Sequence, residues 1–246
     1  MSPETELAVK RGIAYCGPAF VIGYIICFGL LGHNIPPPKM LGLTSADFVA
    51  SYYTRFPEVA IGMIGCCVAG LLYMPWSCLL ASMLRSQDGS LSVLGLLELT
   101  GGLLTGWLLA FCPALWAACS LMAGKIDPGF IHLLHLGTWL IYDCTFMITT
   151  IQLTGLGLYV VLSRNQTIFP AWTGWSALAV GASFLPLVLV PFAADGPFAV
   201  NGLWNFFIVF GIWLFAFFTP FSFFMLRALS GDRRALAEGA GRTAHA

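Results

Sequence analysis

Six long apolar stretches, separated by short polar segments, set the pattern of this sequence. They cover approximately residues 13–32, 59–83, 93–122, 137–162, 173–193 and 203–226. Each stretch holds about 20 or more mainly apolar residues, the length that an α-helix needs to cross a bilayer. The pattern therefore predicts an all-α, polytopic membrane helix bundle with six transmembrane helices, in which residues 1–230 form one domain. The polar residues 231–246 are predicted to be a flexible cytoplasmic tail.

The longest connector follows the first span and contains structure of its own. It begins with the stiff run Pro36-Pro37-Pro38. Thr44 follows, with Asp47 three residues later, a spacing that is typical of a helix N-cap. These signals predict a short helix over about 45–56 at the membrane surface, with Tyr52 among its aromatic side chains. The predicted bundle is thus capped on its outer face.

Composition excludes an ordinary soluble protein. Hydrophobic residues make up 59% of the chain and charged residues only 9%, against about 25% charged residues in a typical globular domain. Basic and acidic residues number 11 each, so no net positive charge is present to attract nucleic acid. The expected surroundings are a lipid bilayer, and no nucleic-acid partner is expected.

The distribution of basic residues predicts the orientation. With the N-terminus inside, eight basic residues lie on the cytoplasmic side and three lie outside, which favours cytoplasmic N- and C-termini. The inner set is Lys10, Arg11, Arg85, Arg164, Arg227, Arg233, Arg234 and Arg242, and the outer set is Lys39, Arg55 and Lys125. The predicted location is the cytoplasmic (inner) membrane of a bacterium.

Ionisable side chains inside a membrane are costly, so each is a candidate functional group. Asp143 in the fourth span and Glu98 in the third are the two that the hydropathy pattern places deep. His132, His135, Trp139 and Asp143 recur at steps of three and four, so a continuous helix puts them on one face. The stripe continues through Phe146 and Thr150.

Asn205 enters the sixth span in its outer half, where it could meet Asp143. We therefore predict an outward-facing pocket whose substrate-binding residues are Asp143, His132, His135, Trp139 and Asn205. The histidine pair also suits a metal if further ligands join it, but Asp143 lies about 12 Å away along the helix. Such ligands would have to come from outer loops, and the candidates are His33, Asp47 and Asp195. No metal site is assigned and the cofactor is unknown. The alternative is that both histidines reach towards head groups while Asp143 bonds a neighbouring helix.

Two outer loops carry a resemblance to a known family. The residues are Ile35-Pro36-Pro37-Pro38, Leu43-Thr44, Tyr52-Tyr53, Gly196-Pro197-Phe198-Ala199 and Asn201-Gly202. Together they resemble a family of uncharacterised multi-pass membrane proteins of actinobacteria and proteobacteria, over approximately residues 13–229. Val200 and Ile35 stand where the family often has tryptophan. The resemblance implies the architecture and the clustering of motifs on the outer face, and it implies no catalytic role.

Three function classes are compatible with these features. The first is a binding or transport protein that takes a small or lipophilic molecule into the outer pocket, with Asp143 as polar anchor or proton carrier. The second is a membrane-embedded enzyme that acts on a lipid-soluble substrate. The third is an accessory subunit, with a membrane protein partner or a second copy of the chain, because Gly102 and Gly106 would let another helix approach closely.

Overall fold

A computed structural model describes residues 1–163 and 167–244 of the chain. This part is 77% helical and contains no strand. It has six helices that are long and apolar enough to cross a membrane. The predicted all-α membrane bundle is therefore confirmed, whereas the side on which the termini lie stays a prediction. Arg164, used in the charge count, and the end of the tail, 245–246, lie outside the described residues.

Seven helical elements follow one another within the described residues. They are α1 (Pro3–Leu31), α2 (Ser45–Val49, continued by a wider helical turn over Ala50–Thr54), α3 (Val59–Ser82), α4 (Val93–Met122), α5 (Pro128–Leu162), α6 (Ala171–Phe192) and α7 (Leu203–Asp232). The last part of α7 belongs to the helix Thr219–Ala244, which extends beyond the span. The flexibility of residues 231–246 stays a prediction.

Two spans begin about ten residues before the apolar stretches predict. In α1 the Ser2 hydroxyl accepts a hydrogen bond from the backbone N–H of Thr5, and Pro3 occupies the first turn. In α5 the Asp127 carboxylate accepts from the backbone N–H of Gly129 at 2.7 Å, with Pro128 in the first turn. Caps and prolines start a helix whether or not its first turns are apolar. The hydropathy pattern therefore identified only the apolar part of each helix and missed its first turns.

The six spans form a closed ring in chain order. Each span packs against the next along the chain, and α7 packs back against α1. Aromatic side chains fill the interior of this ring. The fully buried ones include Phe20, Tyr73, Trp76, Trp139, Phe217 and Phe218. The centre of the bundle is therefore a packed core, and polar groups inside it occupy defined places.

Several spans depart from regular α-helix. α1 and α7 contain wider π-helical stretches, over Ile25–Leu31, Leu203–Phe210 and Trp213–Phe218, and α5 and α6 are irregular in other ways. α5 is interrupted at Thr145 and Phe146, between the helices Pro128–Cys144 and Met147–Leu162. The second half of α6, Leu185–Phe192, is a 3-10 helix that holds Pro186 and Pro191. Proline removes a backbone donor and clashes with the preceding turn, which explains the change in α6. The first part of α5, Pro128–Cys144, packs against this 3-10 helix of α6.

Candidate functional site

The two predicted site histidines hold the long connector between α1 and α3 against α5. The ring of His132 is hydrogen-bonded to the hydroxyl of Ser45 at 3.2 Å and to the backbone carbonyl of Met40 at 3.0 Å. His135, buried one turn further along, bonds the hydroxyl of Tyr53 at 2.5 Å. Phe48 stacks on His132 with ring centroids 4.5 Å apart. Both histidines thus hold α2 and its approach against the top of α5.

The side chains of Tyr52 and Tyr53, in the last turn of α2, are buried in the bundle. The sequence instead predicts that the aromatic residues of this helix lie at the membrane surface. Tyr52 donates a hydrogen bond to the carbonyl of Gly32 at 2.5 Å. Burial raises the pKa of both phenols. Both side chains act as packing groups with a polar tip, because α2 covers the helix ends instead of lying flat in lipid.

Hydrogen bonding fixes the state of His135. The indole N–H of Trp139 can only donate, and it points at Nε2 of His135 from 3.1 Å. Nε2 must therefore accept, which leaves the proton of a neutral ring on Nδ1 and directs it at Tyr53. Both nitrogens are occupied, so His135 has no free position for a metal or a substrate in this arrangement.

The loop residues considered as further metal ligands are engaged elsewhere. His33 Nε2 lies 2.6 Å from Glu58 Oε1, and Asp195 pairs with Lys39 at 3.0 Å. Asp47 accepts from the hydroxyl of Thr44 at 2.7 Å. Within residues 1–163 and 167–244, no three His, Cys, Asp or Glu side chains come together to hold a metal ion.

Asp143 and Asn205 are brought together inside the bundle. The amide nitrogen of Asn205 donates to Oδ2 of Asp143 and to the backbone carbonyl of Val200, each at 2.9 Å. Both side chains are buried, and Oδ1 of Asn205 has no hydrogen-bond partner. No basic side chain forms an ion pair with Asp143 in the described part of the chain. The pair therefore offers hydrogen-bond acceptors without matching donors.

A small cavity lies beside Asp143, between α4, α5, α6 and α7. Its lining includes Asp143, Tyr142, Trp213 and three threonines, Thr105, Thr145 and Thr149, and the remaining lining residues are apolar. Its volume, measured as the space that the centre of a water molecule can occupy, is about 40 Å³. One water needs about 10–15 Å³ by that measure, so the cavity holds about three waters or a solute of similar size. His132, His135, Trp139 and Asn205 do not line it.

A second polar cluster surrounds Glu98. Its Oε1 accepts from the hydroxyl of Ser77 on α3 at 2.7 Å and from the amide of Gln152 on α5 at 3.1 Å. The hydroxyl of Tyr73 donates to the amide oxygen of Gln152 at 2.6 Å. All four side chains are fully buried. The sequence identified Glu98 as deep, but it did not identify these partners, because nothing local shows which helices are neighbours.

The interruption of α5 redirects its polar stripe. A continuous helix would place Thr150 below Asp143, but Thr150 instead bonds the carbonyl of Gly181 on α6 at 3.3 Å. Thr149 takes the inward position and bonds the hydroxyl of Thr105 at 3.0 Å. Beyond the interruption, the inward face of α5 therefore carries Thr149 and Gln152. A helix that is assumed to be regular throughout predicts the wrong threonine.

Comparisons with protein-family models, with curated proteins and with solved structures found no match for this chain. The resemblance drawn from the outer loops stays a prediction. Fold similarity therefore gives no function, and the chemistry of the site is the basis for inferring one.

Proposed function

We propose that this integral membrane protein carries protons, bare or bound to a small amine, through the cavity beside Asp143. We place it in the cytoplasmic membrane of a bacterium, with both termini in the cytoplasm. The observation that supports the proposal is the carboxyl of Asp143, which lies buried at a cavity with no basic partner among the described residues. Ionisable groups placed in this way inside a membrane commonly mark ion and proton pathways.

The chemistry of the cavity favours a small hydrogen-bond donor. Asp143 supplies acceptors, and the threonine hydroxyls can accept as well as donate. A proton, an ammonium ion or methylammonium supplies donors and a positive charge. A lipid chain does not fit into space for about three waters. The sequence is compatible with a small or a lipophilic cargo, and the size of the cavity favours the small one.

Proton uptake into liposomes tests the proposal. The full chain is reconstituted with a pH-sensitive dye inside, and a potassium gradient with valinomycin supplies the driving force. One set of liposomes receives buffer alone and a second receives methylammonium, which separates bare protons from a carried amine. We expect Asp143→Asn to lower the flux at least about tenfold, because an amide cannot take up and release the proton. The pairing with Asn205 can persist in that variant.

The matched control is Asp88→Asn, the same chemical change in the exposed turn between α3 and α4. It should transport at the wild-type rate. Wild-type flux equal to that of empty liposomes in both sets would refute the proposal. A folded Asp143→Asn variant with unchanged flux would refute it equally.

A further inference from the structure

The carboxyl of Glu98 is unevenly satisfied. Both donors, Ser77 and Gln152, bond Oε1, whereas Oε2 is buried with no partner. No basic side chain pairs with Glu98 in the described part of the chain. An ionised carboxylate spreads its charge over both oxygens and needs donors on each. This arrangement instead matches a neutral acid, with a carbonyl oxygen that accepts and a hydroxyl at Oε2.

The surroundings of Glu98 are built for this contact. A Cβ on Gly102 would overlap Oγ of Ser77 and lie 2.9 Å from the amide nitrogen of Gln152. A Cβ on Gly101 would lie 2.6 Å from Cβ of Gln152. Because both positions are glycine, α3 and α5 approach α4 closely enough for both donors to reach Glu98. Tyr73 orients the amide by bonding its oxygen, which leaves the nitrogen free to donate.

Burial gives a second reason for a bound proton. A carboxylate inside the hydrocarbon region, without a cation, costs several kcal/mol. Taking up a proton removes that cost and leaves the two hydrogen bonds to Oε1 in place. Because Glu98 is completely buried, it exchanges a proton more readily than it binds a larger ligand.

Glu98 and Asp143 lie on the neighbouring spans α4 and α5, and Thr105 and Thr149 lie between them along the interface of these spans. Thr105 and Thr149 line the cavity beside Asp143 and bond each other. Gln152 lies one turn below Thr149, at about 4.5 Å along the axis, and Glu98 lies about 10 Å below Thr105. A chain of hydroxyl groups and waters, each about 3 Å from the next, can relay a proton over these distances, because each group accepts one proton and passes another on.

We propose that Glu98 is a second proton-binding site, which exchanges its proton with Asp143 through Thr105, Thr149 and intervening water. In the exchange the O–H bond at Oε2 of Glu98 breaks and an O–H bond forms on the Asp143 carboxylate. One carboxyl is neutral and the other ionised before and after, so no charge is gained or lost. The inference rests on the proposed function for the role of this proton.

Infrared spectroscopy tests the inference without measuring transport. Full-length protein in liposomes is moved from H2O to D2O, and the carbonyl bands of protonated carboxyl groups are followed over time. Glu98→Gln should delete one band at neutral pH, whereas Glu58→Gln, at a partly exposed carboxyl outside the spans, should delete none. Should Glu98→Gln not fold, Ser77→Ala assigns the band, because losing one donor to Oε1 raises its frequency.

The relay predicts which variant slows the deuterium shift. Thr149→Val should slow the shift of the Glu98 band at least about tenfold, because it removes the hydroxyl and leaves a gap beyond hydrogen-bond reach. The matched control is Thr138→Val on α5, where a buried hydroxyl bonds only the carbonyl of Leu134 on its own helix. That variant should exchange as the wild type does.

Two results would overturn the inference: a spectrum without a Glu98 band, or a shift rate that Thr149→Val leaves unchanged. Neither depends on whether Asp143→Asn alters flux in liposomes. A failed transport experiment with a slowed Glu98 exchange would therefore refute the proposed function and leave the connection between the two carboxyls standing. The opposite combination would leave Asp143 as the transport group and remove Glu98 from the pathway.

Discussion

Gly102→Ala is expected to destabilise the bundle at the contact between α4, α3 and α5. The added methyl group would overlap the Ser77 hydroxyl and lie 2.6 Å from Cβ of Ser77. Carbon atoms in contact are about 3.5–4.0 Å apart, so Ser77 or the helices must move. Inserting a methyl group into a packed core costs about 1–3 kcal/mol. The movement also weakens the bonds from Ser77 and Gln152 to Glu98.

The hydrogen-bond loss and the helix propensity nearly offset each other. A hydrogen bond between membrane helices contributes about 0.6 kcal/mol on average, so losing two costs about 1 kcal/mol. Alanine in place of glycine inside a helix gains about 1 kcal/mol. The net loss for Gly102→Ala is therefore about 1–3 kcal/mol, set by the overlap.

Gly137→Ala on α5 is the matched control, because a Cβ there meets nothing within 4 Å. It should be neutral or gain up to about 1 kcal/mol. Both variants are unfolded by adding dodecyl sulfate to mixed micelles, with far-ultraviolet circular dichroism as readout. Equal midpoints for the two variants would show that the close approach at Gly102 does not exist.

A double variant identifies the atoms responsible. Gly102→Ala with Ser77→Gly adds a methyl group on α4 and removes the two side-chain atoms of Ser77 on α3 that it would meet. We expect the pair to be more stable than the sum of the single changes, by about 1–2 kcal/mol. If the free-energy changes of the two single variants simply add, the strain does not arise from the contact between residues 77 and 102.

Two further predictions concern the end of the bundle that α2 covers. Glu58→Gln should lower the melting temperature at neutral pH and have no effect in strong acid. The backbone N–H of Glu58 and the His33 ring hold the pKa of the Glu58 carboxyl below its usual range. The stabilisation by this carboxylate is therefore present above the unfolded pKa and is lost as the pH falls through the folded pKa. A wild-type and variant melting series over pH checks this. His135→Leu should cost about 2–4 kcal/mol in the same dodecyl sulfate titration, because the Trp139 N–H and a tyrosine hydroxyl lose their partner in a buried place, and His132→Leu, which is less buried, should cost about 1 kcal/mol.

Hydropathy and local chemistry predicted the parts of this fold that depend on nearby residues. The predicted third span, 93–122, has the bounds of α4, and the expected cap at Thr44 is present. The contact of Asn205 with Asp143 followed from the depth of each residue in its own span. These features need only the length of the span and the residues next to a helix end.

The remaining features depend on which helices meet. Glu98 lies between Ser77 and Gln152 because α4 packs between α3 and α5, and the hydrophobic pattern of one helix does not contain that order. The exchange of Thr150 for Thr149 depends on an interruption at Thr145, where no proline or glycine marks the break. Sequence periodicity assumes that a helix is continuous, so it fails beyond such a point.

Hydrogen-bond satisfaction separates the predicted site residues into two groups. Each ring nitrogen of His132 and His135 has a partner, so replacing either bond with one to a ligand gains little and first requires breaking the cap. Asp143 lies at a cavity next to an amide oxygen without a donor, and Glu98 keeps one oxygen unpartnered. Buried polar groups are normally paired, and in a membrane no bulk water compensates for those that are not. A proton or a small donor at these carboxyls therefore gains the full value of each new bond, which is why we assign the chemistry of this bundle to its middle and the histidines to its cap.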